Sequence, residues 1–116
     1  MCSPLVGGAY VGYAVATALD VDFVWSSPPA YRVTGAVSDR RVAIVDDAIN
    51  AGSAVTSTAV GLPDVVAVGA LLTLGAAPST IAGAPVERLV TLPSALWPAP
   101  TCPLCAAGSP LDAPPS

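Results

Sequence analysis

Neither lysine nor histidine occurs anywhere in the 116 residues. Their absence removes the side chains most often used to move protons in catalysis. Positive charge is scarce in general: four arginines stand against eight acidic residues, for a formal net charge of −4. That balance excludes nucleic acid and anionic membrane as partners. The apolar start of the chain lacks the basic region of a secretory signal and is broken by Pro4, Gly7 and Gly8. A continuous apolar span of about 20 residues, as a transmembrane helix needs, is also missing. Val65–Val86 is apolar only to Leu74 and then meets Gly75, Pro78, Gly83 and Pro85, while Leu89–Leu111 is interrupted by prolines. With only Cys2, Cys102 and Cys105 and no secretory signal, the cysteines suit a reducing cytoplasm.

Apolar side chains, by contrast, are abundant: 53% of the chain is hydrophobic. In one small domain without membrane spans, such content fits parallel strands buried on both faces. The stretch that organises the rest is Arg41-Val-Ala-Ile-Val-Asp-Asp-Ala-Ile-Asn-Ala-Gly-Ser-Ala-Val-Thr-Ser-Thr58. Val42–Val45 reads as a buried strand with two carboxylates, Asp46 and Asp47, at its C-terminal end. A loop of small residues, Asn50-Ala-Gly-Ser-Ala54, then opens a helix over Ser53–Val60, stopped by Gly61 and Pro63. Open parallel sheets bind ligands beyond the carboxyl ends of their strands. A bulk-free loop at a helix start offers backbone N–H groups and a positive dipole end to an anion. The spacing therefore places a phosphate near residues 51–54, with two acids beside it for ribose hydroxyls or a Mg²⁺-bound sugar.

Elsewhere, Cys2–Ala9 reads as a strand tail and a glycine turn, and Ala9–Leu19 as a helix ending at Asp20. Asp22–Ser26 is a short strand, Tyr31–Val33 an edge strand, Asp64–Leu74 a second buried strand and Val86–Leu92 the last one. Pro78–Ala82 is expected to make one helical turn and Pro93–Trp97 a short terminal turn. The expected fold is α/β, an open and mostly parallel sheet of about four to five strands with helices on both faces. Residues 1–97 form the core, and 98–116 an irregular tail rich in Pro and Ala. Within that tail, Cys102-Pro-Leu-Cys105 supplies at most half of a zinc site. Inert packing or weak metal binding across a dimer are the other readings. Pro100 and Pro103 argue against the helix start that a redox CxxC uses.

Val42-Ala-Ile-Val-Asp46-Asp47-Ala-Ile-Asn50-Ala-Gly52-Ser-Ala54 resembles the signature with which type I phosphoribosyltransferases bind 5-phosphoribosyl-1-diphosphate (PRPP). Ala48, usually larger in that family, and Asn50, commonly Thr or Ser, depart from it. Pro4-Leu-Val-Gly-Gly-Ala-Tyr10 resembles the family's diphosphate loop, at Val6, Gly7 and Gly8. The Leu-Trp-Pro and Cys-Pro-Leu-Cys ending resembles an orotate phosphoribosyltransferase-like branch, so that the likeness runs from about Pro4 to Leu111. It implies transfer of a phosphoribosyl group from PRPP to an orotate-like pyrimidine, with Mg²⁺ entering through PRPP, in a cytoplasmic homodimer. The PRPP-binding residues would be Asp46, Asp47, Asn50, Ala51, Gly52, Ser53 and Ala54, with Arg32 as a candidate neighbour of the diphosphate. The family's N-terminal hood segment and its Lys- and His-bearing mobile loop have no counterpart here, so the catalytic residue is unknown. A second reading, a non-catalytic domain that binds PRPP or a nucleotide, stays open. An exposed apolar patch is expected where the hood would cover the core.

Overall fold

The computed structural model of the chain describes residues 1–95 and 97–111. The elements follow as β1 (Cys2–Pro4), α1 (Gly7–Leu19), β2 (Val24–Ser27), β3 (Arg32–Val33), β4 (Arg41–Ile49), α2 (Ser53–Val60), β5 (Asp64–Leu74), β6 (Thr80–Ile81) and β7 (Ala84–Leu92). A 3-10 turn at Ala99–Thr101 and a short helix, α3 (Pro103–Ala106), close the described chain. The strands lie in one sheet in the order β3-β2-β1-β4-β5-β7-β6. β1, β2, β4, β5 and β7 run parallel, whereas β3 and β6 pair antiparallel at the two edges. This is the expected α/β architecture. Its parallel strands number within the expected range, and two short edge strands extend the sheet to seven.

The two longer helices pack on opposite faces. Ser3 and Ser26 have opposite parity, because Ser3 pairs with Trp25 and Pro4 with Ser26. Ser3 lies against Gly12 of α1, while the Ser26 hydroxyl shares a 2.7 Å hydrogen bond with Thr58 of α2. On the α2 face, Ile44, Ile49, Val55, Val68, Ile81 and Val86 close into one buried cluster. Each such side chain contributes roughly 1.5–3 kcal/mol when fully buried.

α1 reaches the sheet through Gly8, Gly12 and Ala16, spaced one turn apart. A Cβ at Gly12 would overlap the Ser3 hydroxyl, so only glycine permits this approach. Beyond β4 that face is open. Val11 and Val15 of α1, with Val45, Leu71 and Leu89, line a groove of about 360 Å³, and Leu89 is 80% exposed. The apolar patch lies here.

Three local expectations differ. Residues 78–82 hold no helical turn. Ala82 and Gly83, both with positive φ, instead make the tight turn of a hairpin that pairs Thr80 with Pro85 and Ile81 with Ala84. The tail is not wholly irregular, because Pro103 at the first helical position opens α3. β4 does not stop at Val45 but continues to Ile49, since the long β5 offers it a ladder partner as far as Thr73. Leu96, in the expected terminal turn, and residues 112–116 of the expected tail lie outside the described residues. Among the described residues, no helix is long and apolar enough to cross a membrane.

Candidate functional site

The middle strand of the sheet, β4, carries the two acids towards its C-terminal end and hands the chain to α2. Asp46 is 8% exposed and its Oδ1 accepts the Asp47 backbone N–H at 2.9 Å. Asp47 is exposed, and its Oδ1 accepts the Ala48 N–H at 2.9 Å. Burial pushes the Asp46 carboxyl up to about 7, helped by a side-chain hydrogen bond with Asp47 and that residue's charge, while the Asp47 N–H pulls it down. Asp46 therefore holds its proton well above the usual carboxylate range.

Both carboxyls face the start of α1. A Cβ at Gly8 would sit 2.6 Å from Asp46 Oδ1, and one at Gly7 would overlap Asp47 Oδ2. The diphosphate-loop candidates are thus where the acids point. Val6, at the N-cap of α1, is 69% exposed and follows a cis peptide after Leu5.

On the other side of Asp46, the chain turns at Gly52 into α2. Gly52 has φ +91°, a left-handed conformation that favours glycine, and no side chain caps the helix. The first backbone bond runs from the Thr56 N–H to the Gly52 carbonyl at 2.8 Å, so the N–H groups of Ser53, Ala54 and Val55 lie ahead of the helical ladder. Thr58 anchors this helix from below, through Ser26 and through the Ala54 carbonyl at 2.8 Å. Pro78 and Ile81 back the turn: a Cβ on Gly52 would lie 3.3 Å from Ile81 Cδ1 and 3.4 Å from Pro78 Cγ.

Asp46 and residues 48–55 line a cleft of about 360 Å³. The structure thus brings Asp46, Asn50, Ala51, Gly52, Ser53 and Ala54 together around one space. Asp47, Gly7 and Gly8 adjoin Asp46 without lining the cleft. Asn50 Oδ1 is shielded from solvent and has no hydrogen-bond partner among the described residues. No arginine lines the cleft. Arg32 lies on the edge strand β3, and Arg40 pairs at the surface with Asp22 at 3.1 Å. An anion here would meet backbone amides rather than side-chain cations. Among the described residues, no group of three His, Cys, Asp or Glu side chains is placed to hold a metal ion.

Ala48, Ile49 and Val55 also line the space, and Pro78 and Ile81 support it. Sequence reasoning noted Ala48 and Ile49 only as parts of the signature stretch and gave none of the five a place in the site. The apolar spacing of Ile49 and Val55 marks them only as core, and the support from Ile81 depends on a two-residue strand that exists only by pairing with β7.

A scan of protein-family models gives no match to the chain, and a search of curated proteins gives none either. Solved structures share its fold. An adenine phosphoribosyltransferase from Thermoanaerobacter pseudethanolicus superposes with a TM-score of 0.62 at 21% identity, over 78% of this chain and 68% of that one. An orotate phosphoribosyltransferase from Aeropyrum pernix gives 0.64 at 19% identity, over 78% of this chain and 59% of that one. An adenine phosphoribosyltransferase from Trypanosoma brucei, in complex with AMP, pyrophosphate and ribose-5-phosphate, gives 0.57 at 20%, and this chain spans 54% of its length. With the sheet order, the acid pair on the middle strand and the glycine turn into α2, these similarities establish that the chain has the phosphoribosyltransferase fold.

Proposed function

We propose that the chain binds PRPP in the cleft beyond β4 and transfers its phosphoribosyl group to a ring nitrogen of an orotate-like pyrimidine, releasing diphosphate. One observation carries the reading: the buried Asp46 and the turn that opens α2 line a single cleft of about 360 Å³. The amides of residues 51–54 and the Ser53 hydroxyl hold the 5′-phosphate, with the α2 dipole favouring its charge. Asp46 and Asp47 accept hydrogen bonds from the 2′- and 3′-hydroxyls, and the Asp46 proton leaves as the ligand's donors replace it. The diphosphate lies along the open side of the Val6, Gly7 and Gly8 loop, whose glycines leave room for the Asp46 and Asp47 carboxyls. The Asn50 amide presents a donor beside its unpartnered Oδ1, matching the adjacent carbonyl and ring N–H of a pyrimidine imide.

The acid pair suits a divalent cation, being two adjoining carboxylates beside a cleft that no arginine lines. Mg²⁺ entering with PRPP would offset the charge that builds on the departing diphosphate. The same reading makes the protein a cytoplasmic homodimer in which an arginine of the second copy adds charge near the diphosphate.

The absence of lysine and histidine favours a second reading, a PRPP-binding domain without turnover. General acid or base catalysis typically contributes about 10²–10⁴ in rate, and no lysine or histidine is available to protonate the leaving group. Incubation with PRPP, orotate and Mg²⁺, followed by diphosphate detection, separates the two. Diphosphate release supports transfer. Calorimetric binding of PRPP without release leaves the second reading, and no binding at millimolar PRPP removes both.

A further inference from the structure

We propose that Cys102 and Cys105 form a reversible dithiol–disulfide site that exchanges with low-molecular-weight disulfides, Cys102 attacking and Cys105 resolving. Beyond β7 the chain leaves the sheet, and the 3-10 turn at Ala99–Thr101 leads directly into the N-cap of α3, which is Cys102. Pro103 does not prevent this helix start. At the first helical position its missing N–H is not needed, and its ring fixes the backbone in a helical φ. Backbone bonds hold the turn: the Ala106 N–H reaches the Cys102 carbonyl at 3.0 Å and the Ala107 N–H reaches the Pro103 carbonyl at 3.0 Å.

Across that turn the Cys105 N–H donates to Cys102 Sγ at 3.4 Å. Residues three apart in a helical turn have Cβ atoms about 5–6 Å apart, and disulfides form at Cβ separations of about 3.5–4.5 Å. Side-chain rotation with a small tightening of the turn therefore suffices to join the two sulfurs.

The two thiols also differ as exchange requires. The backbone and side-chain hydrogen bonds from Cys105 hold the Cys102 thiol below its ordinary value, which favours the nucleophilic thiolate. Cys105 is exposed and Cys102 half-buried, so a small disulfide can reach either. Cys2 is the internal contrast. It is fully buried in β1, and burial pushes its thiol up to about 11. A metal would need two further ligands, and among the described residues no third ligating side chain joins the pair.

The chemistry balances. The Cys102 thiolate attacks one sulfur of a disulfide RSSR, forming a Cys102–S–SR bond and releasing RS⁻. The Cys105 thiolate then attacks Cys102 Sγ, closing the protein disulfide and releasing the second RS⁻. The protein dithiol is oxidised, RSSR is reduced to two thiols, and excess RSH reverses both steps.

The test uses the full folded chain, reduced and then exposed to glutathione disulfide at pH 7, with acid quench, tryptic cleavage and mass spectrometry. Cleavage after arginine separates Cys2 from the peptide that carries Cys102 and Cys105. The expected product is that C-terminal peptide lighter by two hydrogens, free of glutathione and restored by excess glutathione. Cys105→Ser should retain one glutathione on Cys102. Cys102→Ser should react at Cys105 at least about fivefold more slowly. Both residues lie outside the core, so an unchanged Tm verifies that each variant folds. Stable glutathione adducts on the native pair without hydrogen loss, equal rates in the two variants, or zinc bound at one ion per chain and blocking exchange would each overturn the proposal.

Discussion

Two helices start at the C-terminal edge of this sheet, and both start at glycine, yet they meet opposite surroundings. α1 opens at Gly7 and Gly8 directly against the Asp46 and Asp47 carboxyls. α2 opens at Gly52 into a cleft that no cation lines and into which Ser53 and Ala54 face. Helix N-termini attract negative charge. At α1 the protein's own acids already meet that attraction, whereas at α2 it is left for a ligand. In the proposed function the phosphate binds at α2, and the ribose hydroxyls and the cation at the acids beside α1. Glycine serves different ends at the two starts, giving room for side-chain oxygens at Gly7 and Gly8 and a left-handed turn at Gly52.

The strongest way to break this contrast is Gly52→Val. A β-branched residue at φ +91° is strained, and its Cβ would press on Ile81 at 3.3 Å. We expect affinity for Mg·PRPP to fall by more than about tenfold, with a loss of roughly 1–3 kcal/mol in stability. Calorimetric titration and denaturant unfolding measure the two, and unchanged affinity would remove the α2 turn from the site.

Asp46→Asn should move binding and stability in opposite directions. Affinity for Mg·PRPP should weaken by about 1–3 kcal/mol, the scale of a charge-assisted hydrogen bond. The folded carboxyl at about 7 lies above its unfolded value of about 3.9, so the native state holds the extra proton between those limits. Wild-type stability therefore falls as pH rises from about 4 to about 7. The asparagine variant escapes that loss. It should be more stable than wild type by roughly 1–3 kcal/mol at pH 8, with the gap narrowing towards pH 4. Unfolding curves across that range check the sign; a wild type more stable at pH 8 than at pH 5 would contradict it.

The smallest effect is expected below the cleft. Thr58→Val leaves the Ser26 hydroxyl buried without its partner, at a cost of about 1–3 kcal/mol. Because only the foundation of α2 changes, PRPP affinity should shift less than about twofold, a scale well under one hydrogen bond. A larger shift would show that Thr58 sets the position of the phosphate turn.

Long elements were legible in the sequence because one residue pattern spans each of them. Ser53–Val60 and Asp64–Leu74 fall where their breakers and continuous apolar run place them. The turn of small residues after two acids was legible for the same reason, since its conformation is local. What could not be read depends on partners distant in the chain. β4 continues through Asp46 and Asp47 because β5 offers it a ladder, and β6 is a strand only because β7 lies beside it. The α3 start was misjudged from Pro100 and Pro103, although proline is favoured at the first helical position, which Pro103 occupies. The raised carboxyl of Asp46 likewise required knowing what buries it.

The continuation of β4 has a mechanical consequence. Asp46, Ala48 and Ile49 are in register with Ala70, Leu72 and Thr73 of β5, so the backbone under the acids cannot shift without unzipping the centre of the sheet. Interior ladders of this kind are the slowest parts of a protein to open, and surface turns the quickest. The Gly52 corner, a turn outside that ladder, is the part of the cleft wall free to adjust, while the carboxylate wall stays fixed.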